Sequence, residues 1–166
     1  MAISALVLAT LLAARQDGAE SPLDWLHGTW VCRLAGTGAG AVLRREHWQG
    51  DGWSGTHVRV DEVRASPGGE ALPLSSGRIL ADNGGFSLLH RMQGASTGAP
   101  ASYRSVRVGA REAEFVTDEA VAPQRIVYRR TGTALTVTHS RRDGSGARSW
   151  RMLPEGSGHR GCDGRR

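Results

Sequence analysis

Three groups of side chains in this 166-residue chain have types and spacings suited to chemistry. The first is Glu46-His47-Trp48, inside an alternating stretch. Neighbours on a strand point to opposite faces, so Glu46 and Trp48 share one face and His47 takes the other. His47 there can act as a general base or a metal ligand. The plainer reading is a hydrogen-bonded histidine at a barrel mouth. The second group is His90 and His139. Phe86, Leu88, His90 and Met92 alternate on one face, as do Leu135, Val137 and His139. With those faces inward, both imidazoles line the interior and offer nitrogen to haem iron or a divalent metal. The plainer reading has each satisfied by a Ser, Thr or backbone partner. The third group is Arg125 with Tyr128. An inward Arg beside a Tyr binds a carboxylate bidentately. Ile126, Tyr128 and Arg130 share one face, and Arg125, Val127 and Arg129 the other. The structural alternative has Arg125 or Arg130 stacked on Trp30 or paired with Glu46.

Several reaction classes lack their residues. Lys is absent, which excludes a Walker A loop, a Schiff-base Lys and a Ser-x-x-Lys nucleophile. No Gly-x-Ser-x-Gly elbow and no His-Glu-x-x-His occurs. Gly36-Thr37-Gly38-Ala39-Gly40 has the glycines of a dinucleotide loop but not its strand–turn–helix setting, and reads as a hairpin loop.

The elements that must position these groups are strands. Ser21, with Pro22 after it, reads as the cap of a short helical turn over Leu23-Asp24-Trp25-Leu26, ended by His27-Gly28. Beyond Gly28 the period is two. The predicted strands are Trp30 to Leu34, Ala41 to Trp48, Trp53 to Glu62, Arg78 to Ala81, Gly85 to Met92, Ser102 to Val108, Glu112 to Thr117, Gln124 to Arg130, Ala134 to Ser140 and Ala147 to Leu153. Turn residues separate them, notably Gln49-Gly50-Asp51-Gly52, Pro67-Gly68-Gly69, Asp82-Asn83-Gly84 and Thr131-Gly132-Thr133. About ten short strands without a long helix predict an all-β fold, an antiparallel up-and-down barrel in which closure removes the unpaired edges.

Gly28-Thr29-Trp30 opens the first strand after the helical turn. It is similar to the Gly-x-Trp of lipocalin (calycin) barrels, where Trp covers one end and a late-strand Arg stacks on it. Arg130 and Arg151 are the candidates here. Small haem-binding barrels with a Gly-Thr-Trp start and a late-strand His are a further likeness. Leu23 to Trp30, Arg45-Glu46-His47-Trp48, Phe115 and Pro123-Gln124-Arg125-Ile126-Val127-Tyr128-Arg129-Arg130 follow one order. That order resembles an uncharacterised bacterial family of exported lipocalin-like domains of unknown function, over residues 23–153. The resemblance implies a Cys where this chain has Thr29, and His-Asp-Phe where it has Ala120-Val121-Ala122. If the polar group of that loop serves the family's function, this chain has lost it.

Composition sets the remaining bounds. Residues 1–20 hold an apolar run, Met1 to Leu12, then Ala13-Ala14, and read as a signal peptide or leader, too short to span a bilayer. The other readings are an apolar N-terminal helix and a misplaced start within a longer signal. The barrel domain is expected over 23–153 and a disordered tail over 154–166. Cys32 and Cys162 either form one disulfide or remain two free thiols. Arg is unevenly placed: net −2 over residues 1–120 and +7 over 121–166. Aromatic stacking residues are few in the basic part, which argues against nucleic-acid binding.

The sequence thus predicts an exported, non-enzymatic barrel, in the periplasm or secreted, that binds a small apolar or acidic ligand and needs no cofactor. Its ligand residues would be Glu46, His47, His90, Arg125, Tyr128 and His139. One alternative is an enzyme of hydrolase or isomerase type, whose Glu46, His47 and Arg125 must then converge. Another is haem or metal binding through His90 or His139. A third is an envelope interaction module using the Arg-rich late strands.

Overall fold

A computed structural model of the chain describes residues 21–34, 43–50, 56–64, 70–93, 99–121, 123–158 and 161–162. The expected leader, 1–20, lies outside them. Ten strands follow in chain order: β1 (Gly28–Arg33), β2 (Leu43–Gly50), β3 (His57–Arg64), β4 (Ala71–Asp82), β5 (Gly85–Met92), β6 (Ala101–Gly109), β7 (Glu112–Val116), β8 (Arg125–Thr131), β9 (Ala134–Ser140) and β10 (Arg148–Pro154). Each pairs antiparallel with the next, and β1 pairs with β10, so the sheet closes into a barrel. The alternation of the sequence drives this. A curved sheet with one buried face exposes two unpaired edges unless the first and last strands meet.

The turns follow their chemistry. Asn83-Gly84 joins β4 to β5, and Gly84 takes φ 138, a backbone open to Gly but not to side-chain-bearing residues. β4 is longer than predicted, running Ala71–Asp82 where only Arg78 to Ala81 was expected. Leu72 and Pro73 mask its start. Glu62 pairs with Pro73 and Asp61 with Ser75, so a bulge absorbs Leu74 and accommodates the proline.

One end of the barrel is plugged. The expected helical turn is a 3-10 turn, Asp24–Leu26, with Leu23 rather than Ser21 before its first residue. Ser21 still contributes, accepting the Leu23 N–H at 3.3 Å. Leu23, Leu26 and Trp30 are buried beneath the turn. Trp30 Nε1 donates to Leu26 O at 2.8 Å, and Trp25 Nε1 donates to Gly109 O at 2.9 Å. The Arg130 guanidinium lies 5.5 Å from the Trp30 ring centroid and donates to Trp25 O at 3.3 Å. Arg130 is therefore the stacking Arg. Arg151 is not: it points outward because Trp150 and Met152, on either side of it, turn toward the core. Arg130→Ala is expected to lower stability by about 1–2 kcal/mol, from the lost cation–π contact and hydrogen bond. A urea melt checks this, with Arg151→Ala near neutral.

The seam between β1 and β10 is short, pairing Trp30 with Pro154 and Val31 with Leu153. Beyond it the last described residues complete the wall. Cys162 N–H donates to Arg33 O at 2.8 Å, and Arg151 N–H donates to Cys162 O at 2.7 Å. Cys32 and Cys162 form a disulfide. Of the tail expected to be disordered, 154–158 and 161–162 are described, and residues 161–162 lie against β1 and β10. Among the described residues no helix is long and apolar enough to cross a membrane.

Candidate functional site

The interior carries an unusual load of charge. Arg44, Glu46, Arg59, Asp61, Ser75 and His90 are all buried. Their placement follows from strand register: Glu46 pairs with Asp61 and Asp61 with Ser75, while Trp48 pairs with Arg59, Arg59 with Gly77 and Gly77 with His90. Paired residues share a face, so these rows project together into the barrel. β3 is inverted relative to hydrophobicity. Arg59 is fully buried whereas Val60 is 40% exposed. Gly77 makes room for this, because a Cβ there would sit 3.3 Å from both Arg59 Nε and a Leu88 methyl.

Six side chains form a closed ring around the inner wall. Arg44 Nη2 lies 3.5 Å from Glu46 Oε1, and Glu46 Oε1 lies 3.9 Å from Arg59 Nη1. Arg59 Nη2 donates to His90 Nδ1 at 2.8 Å. The His90 and His139 rings are 6.3 Å apart, and His139 lies edge-on to Trp150 at 4.8 Å. Arg44 returns over Trp150 at 3.9 Å. Asp61 holds Arg44 through both carboxylate oxygens, at 3.2 and 2.7 Å. Ser75 accepts from Arg59 Nη2 at 2.8 Å and donates to Asp61 at 3.2 Å. Tyr128 accepts from Arg59 Nη1 at 3.1 Å, and stacks edge-on against Trp48 and Phe115 toward the plugged end.

Burial sets the protonation of the ring. It pushes the Glu46 carboxyl above its ordinary range, with Arg59 and Arg44 partly opposing this. It pulls His90 and His139 down to about 3, helped by the positive charge of Arg59 and Arg44. Both imidazoles are thus neutral at pH 7. The guanidinium has only donors, so His90 Nδ1 is an acceptor and its proton sits on Nε2, 3.2 Å from Met92 Sδ. Both nitrogens of His90 are committed. Among the described residues, three buried ring atoms have no hydrogen-bond partner: Glu46 Oε1, Arg59 Nε and His139 Nε2.

Of the residues singled out from sequence, Glu46, His90, Tyr128 and His139 meet in this interior. His47 does not. It lies on the other face of β2 and pairs with Thr29 Oγ1 at 2.8 Å. Arg125 also lies outside the ring, with its Nε donating to Glu114 Oε1 at 2.8 Å. Glu46, His47 and Arg125 therefore serve three separate partners and do not converge as the hydrolase or isomerase reading requires. In the loop before β8, Val121 packs on the core, and the Tyr103 hydroxyl donates to Pro123 O at 2.6 Å. Arg44, Arg59, Asp61, Ser75 and Trp150 escaped the sequence reading. Arg44 had a signal, since it shares parity with Glu46. Arg59 and Asp61 had a misleading one, since they alternate with valines. Comparison with protein-family models, curated proteins and solved structures found no match, so the functional argument rests on this geometry.

Proposed function

We propose that the barrel is a non-enzymatic binding protein for a small acidic organic molecule, seated on the ring of Arg44, Glu46, Arg59, His90, His139 and Trp150. The observation that carries this is that, among the described residues, Glu46 Oε1, Arg59 Nε and His139 Nε2 of this ring are buried without a hydrogen bond, Glu46 Oε1 having only the longer ion-pair contacts to Arg44 and Arg59. An unsatisfied buried polar group costs about 1–3 kcal/mol, and a guest that pairs with it recovers that cost. A carboxylate or hydroxyl complements Arg59 Nε. A hydroxyl also donates to Glu46 Oε1 or His139 Nε2. Burial pushes Glu46 toward its neutral form, which shifts the interior balance toward Arg44 and Arg59 and favours an acidic guest. Trp150 and Met92 supply the apolar contact. The reading includes export to the periplasm or medium, and the paired Cys32 and Cys162 support an oxidising compartment.

Thermal-shift measurements against fatty acids, retinoids and haem test the proposal. A true ligand at 100 times its Kd stabilises by about 2.7 kcal/mol. Arg59→Met is expected to abolish the shift given by an acid. A flat panel, or an acid response that Arg59→Met leaves intact, overturns the reading. His139 Nε2 favours a second reading, since a neutral imidazole with an uncommitted nitrogen is a competent haem or metal ligand. Haem addition should then give a Soret shift that His139→Ala removes and His90→Ala retains.

A further inference from the structure

At the plugged end, remote in role from the ring, Ser21, Asp24, His27 and His57 form a second polar cluster. We propose that Asp24, His27 and His57 bind a divalent transition metal of the zinc class. One oxygen or nitrogen from each lies within 4.8 Å of the other two. His27 Nε2 faces His57 Nδ1 at 2.8 Å, and Asp24 Oδ1 is 3.7 Å from His27 Nε2. A tetrahedral ion with bonds of about 2.0–2.1 Å holds its ligand atoms about 3.3 Å apart. The His27–His57 and Asp24–His27 separations need changes of roughly half an ångström, and the third separation, within 4.8 Å, closes by up to about 1.5 Å.

The second atom of two of these groups is already held in place. Ser21 N–H donates to Asp24 Oδ2 at 2.9 Å, which leaves Oδ1 turned toward His27. Ser21 Oγ meets His57 Nε2 at 2.8 Å and also accepts the Leu23 N–H at 3.3 Å. A hydroxyl accepting from Nε2–H puts the imidazole lone pair on Nδ1, facing His27. Metal-bound histidines are oriented in this way, by a partner on the other ring nitrogen. His27 is placed by packing. A Cβ at Gly50 would come within 2.7 Å of its ring, so the ring rests directly on the β2 backbone opposite His57. His57 is buried, while His27 and Asp24 are about one-third and two-fifths exposed, which gives an ion a way in. The ligand set is borderline in softness, two imidazoles and a carboxylate, and suits zinc over calcium or magnesium. Three protein ligands leave a fourth position for water.

Titration of the oxidised full chain with zinc chloride tests this, with the disulfide removing both thiols as competitors. Saturable binding of one ion per chain is expected, and cobalt substitution should give the visible bands of a tetrahedral site. His27→Ala and Asp24→Asn, both partly exposed, should each weaken binding while leaving the far-UV circular dichroism unchanged. Ser21→Ala should weaken it about 10-fold through the lost orientation of His57. Gly50→Ala should also weaken it by displacing the His27 ring. His47→Ala, on a different surface, should change nothing. Absence of saturable binding, or binding that survives both His27→Ala and Asp24→Asn, overturns the proposal.

Discussion

Urea unfolding at a series of pH values should show stability falling steeply as pH drops from about 6.5 toward 3. The cause is the pair of buried imidazoles. His90 and His139 titrate near 3 when folded, against an ordinary value of 6.5. Between those limits the unfolded chain binds two protons that the folded chain refuses. Stability then changes by about 2.7 kcal/mol per pH unit, rising with pH and fully present above 6.5. Glu46 acts in the opposite sense. Its pKa is raised by burial, so its contribution is complete below about 4.5 and is lost as pH climbs through the folded value. It therefore softens the acid limb without reversing it. The loss by about pH 4 is then at most about 7 kcal/mol, enough to unfold a domain at the lower end of ordinary stability, about 5 kcal/mol. His139→Phe keeps a ring beside Trp150, and His90→Asn keeps an acceptor for Arg59. Each should reduce the slope by about 1.4 kcal/mol per pH unit. An unchanged slope in the double variant would mean that neither imidazole is neutral in the folded state.

Removing the disulfide should lower the melting temperature by roughly 10 °C. Cys32 and Cys162 are separated by 130 residues, so the bond closes almost the whole barrel into one loop. Chain entropy for a loop of that length gives an upper figure of about 5 kcal/mol, and native disulfides commonly contribute 2–4. At about 2–4 °C per kcal/mol for a chain of this size, the shift is large. The effect is also local. The β1–β10 seam has two paired positions, and the bond holds Cys162 where its backbone serves Arg33 and Arg151. Cys32→Ala/Cys162→Ala should therefore raise amide exchange at Arg151 and Cys162 more than at Tyr128, in the middle of β8. A variant that melts within about 2 °C of the parent, with those amides still protected, would assign closure to the strands alone.

Much of this molecule is legible without coordinates. β5 and β9 have the bounds that the period of two predicts, because Asn83-Gly84 and Thr131-Gly132-Thr133 mark their ends. The Gly-x-Trp start marked Trp30 by resemblance but left Arg125, Arg130 and Arg151 open as its partner, and the 5.5 Å contact selects Arg130. Glu46, His90, Tyr128 and His139 were legible as candidates because each shares parity with large apolar neighbours. β4 was read short because Pro73 resembles a loop residue, and only the bulge opposite Glu62 makes it compatible with a strand.

Alternation divides a strand into two faces without stating which one is inside, and this limit decided the site. On β3 the usual preference fails. Arg59 and Asp61 turn inward, since Gly77 leaves space and Glu46, Arg44, Ser75 and Tyr128 supply charge and hydrogen bonds to offset burial. No local signal encodes that compensation, because its partners come from β2, β4 and β8. The same holds for Asp24, His27 and His57, which gather from the 3-10 turn, its exit and β3. The sequence by itself determined most of the strands, their turns and the all-β barrel class, which alternation and local turn residues set. Tertiary structure decided the inward ring, the outward placement of His47 and Arg125, and the pairing of Cys32 with Cys162. Each of those depends on energies shared across strands distant in the chain.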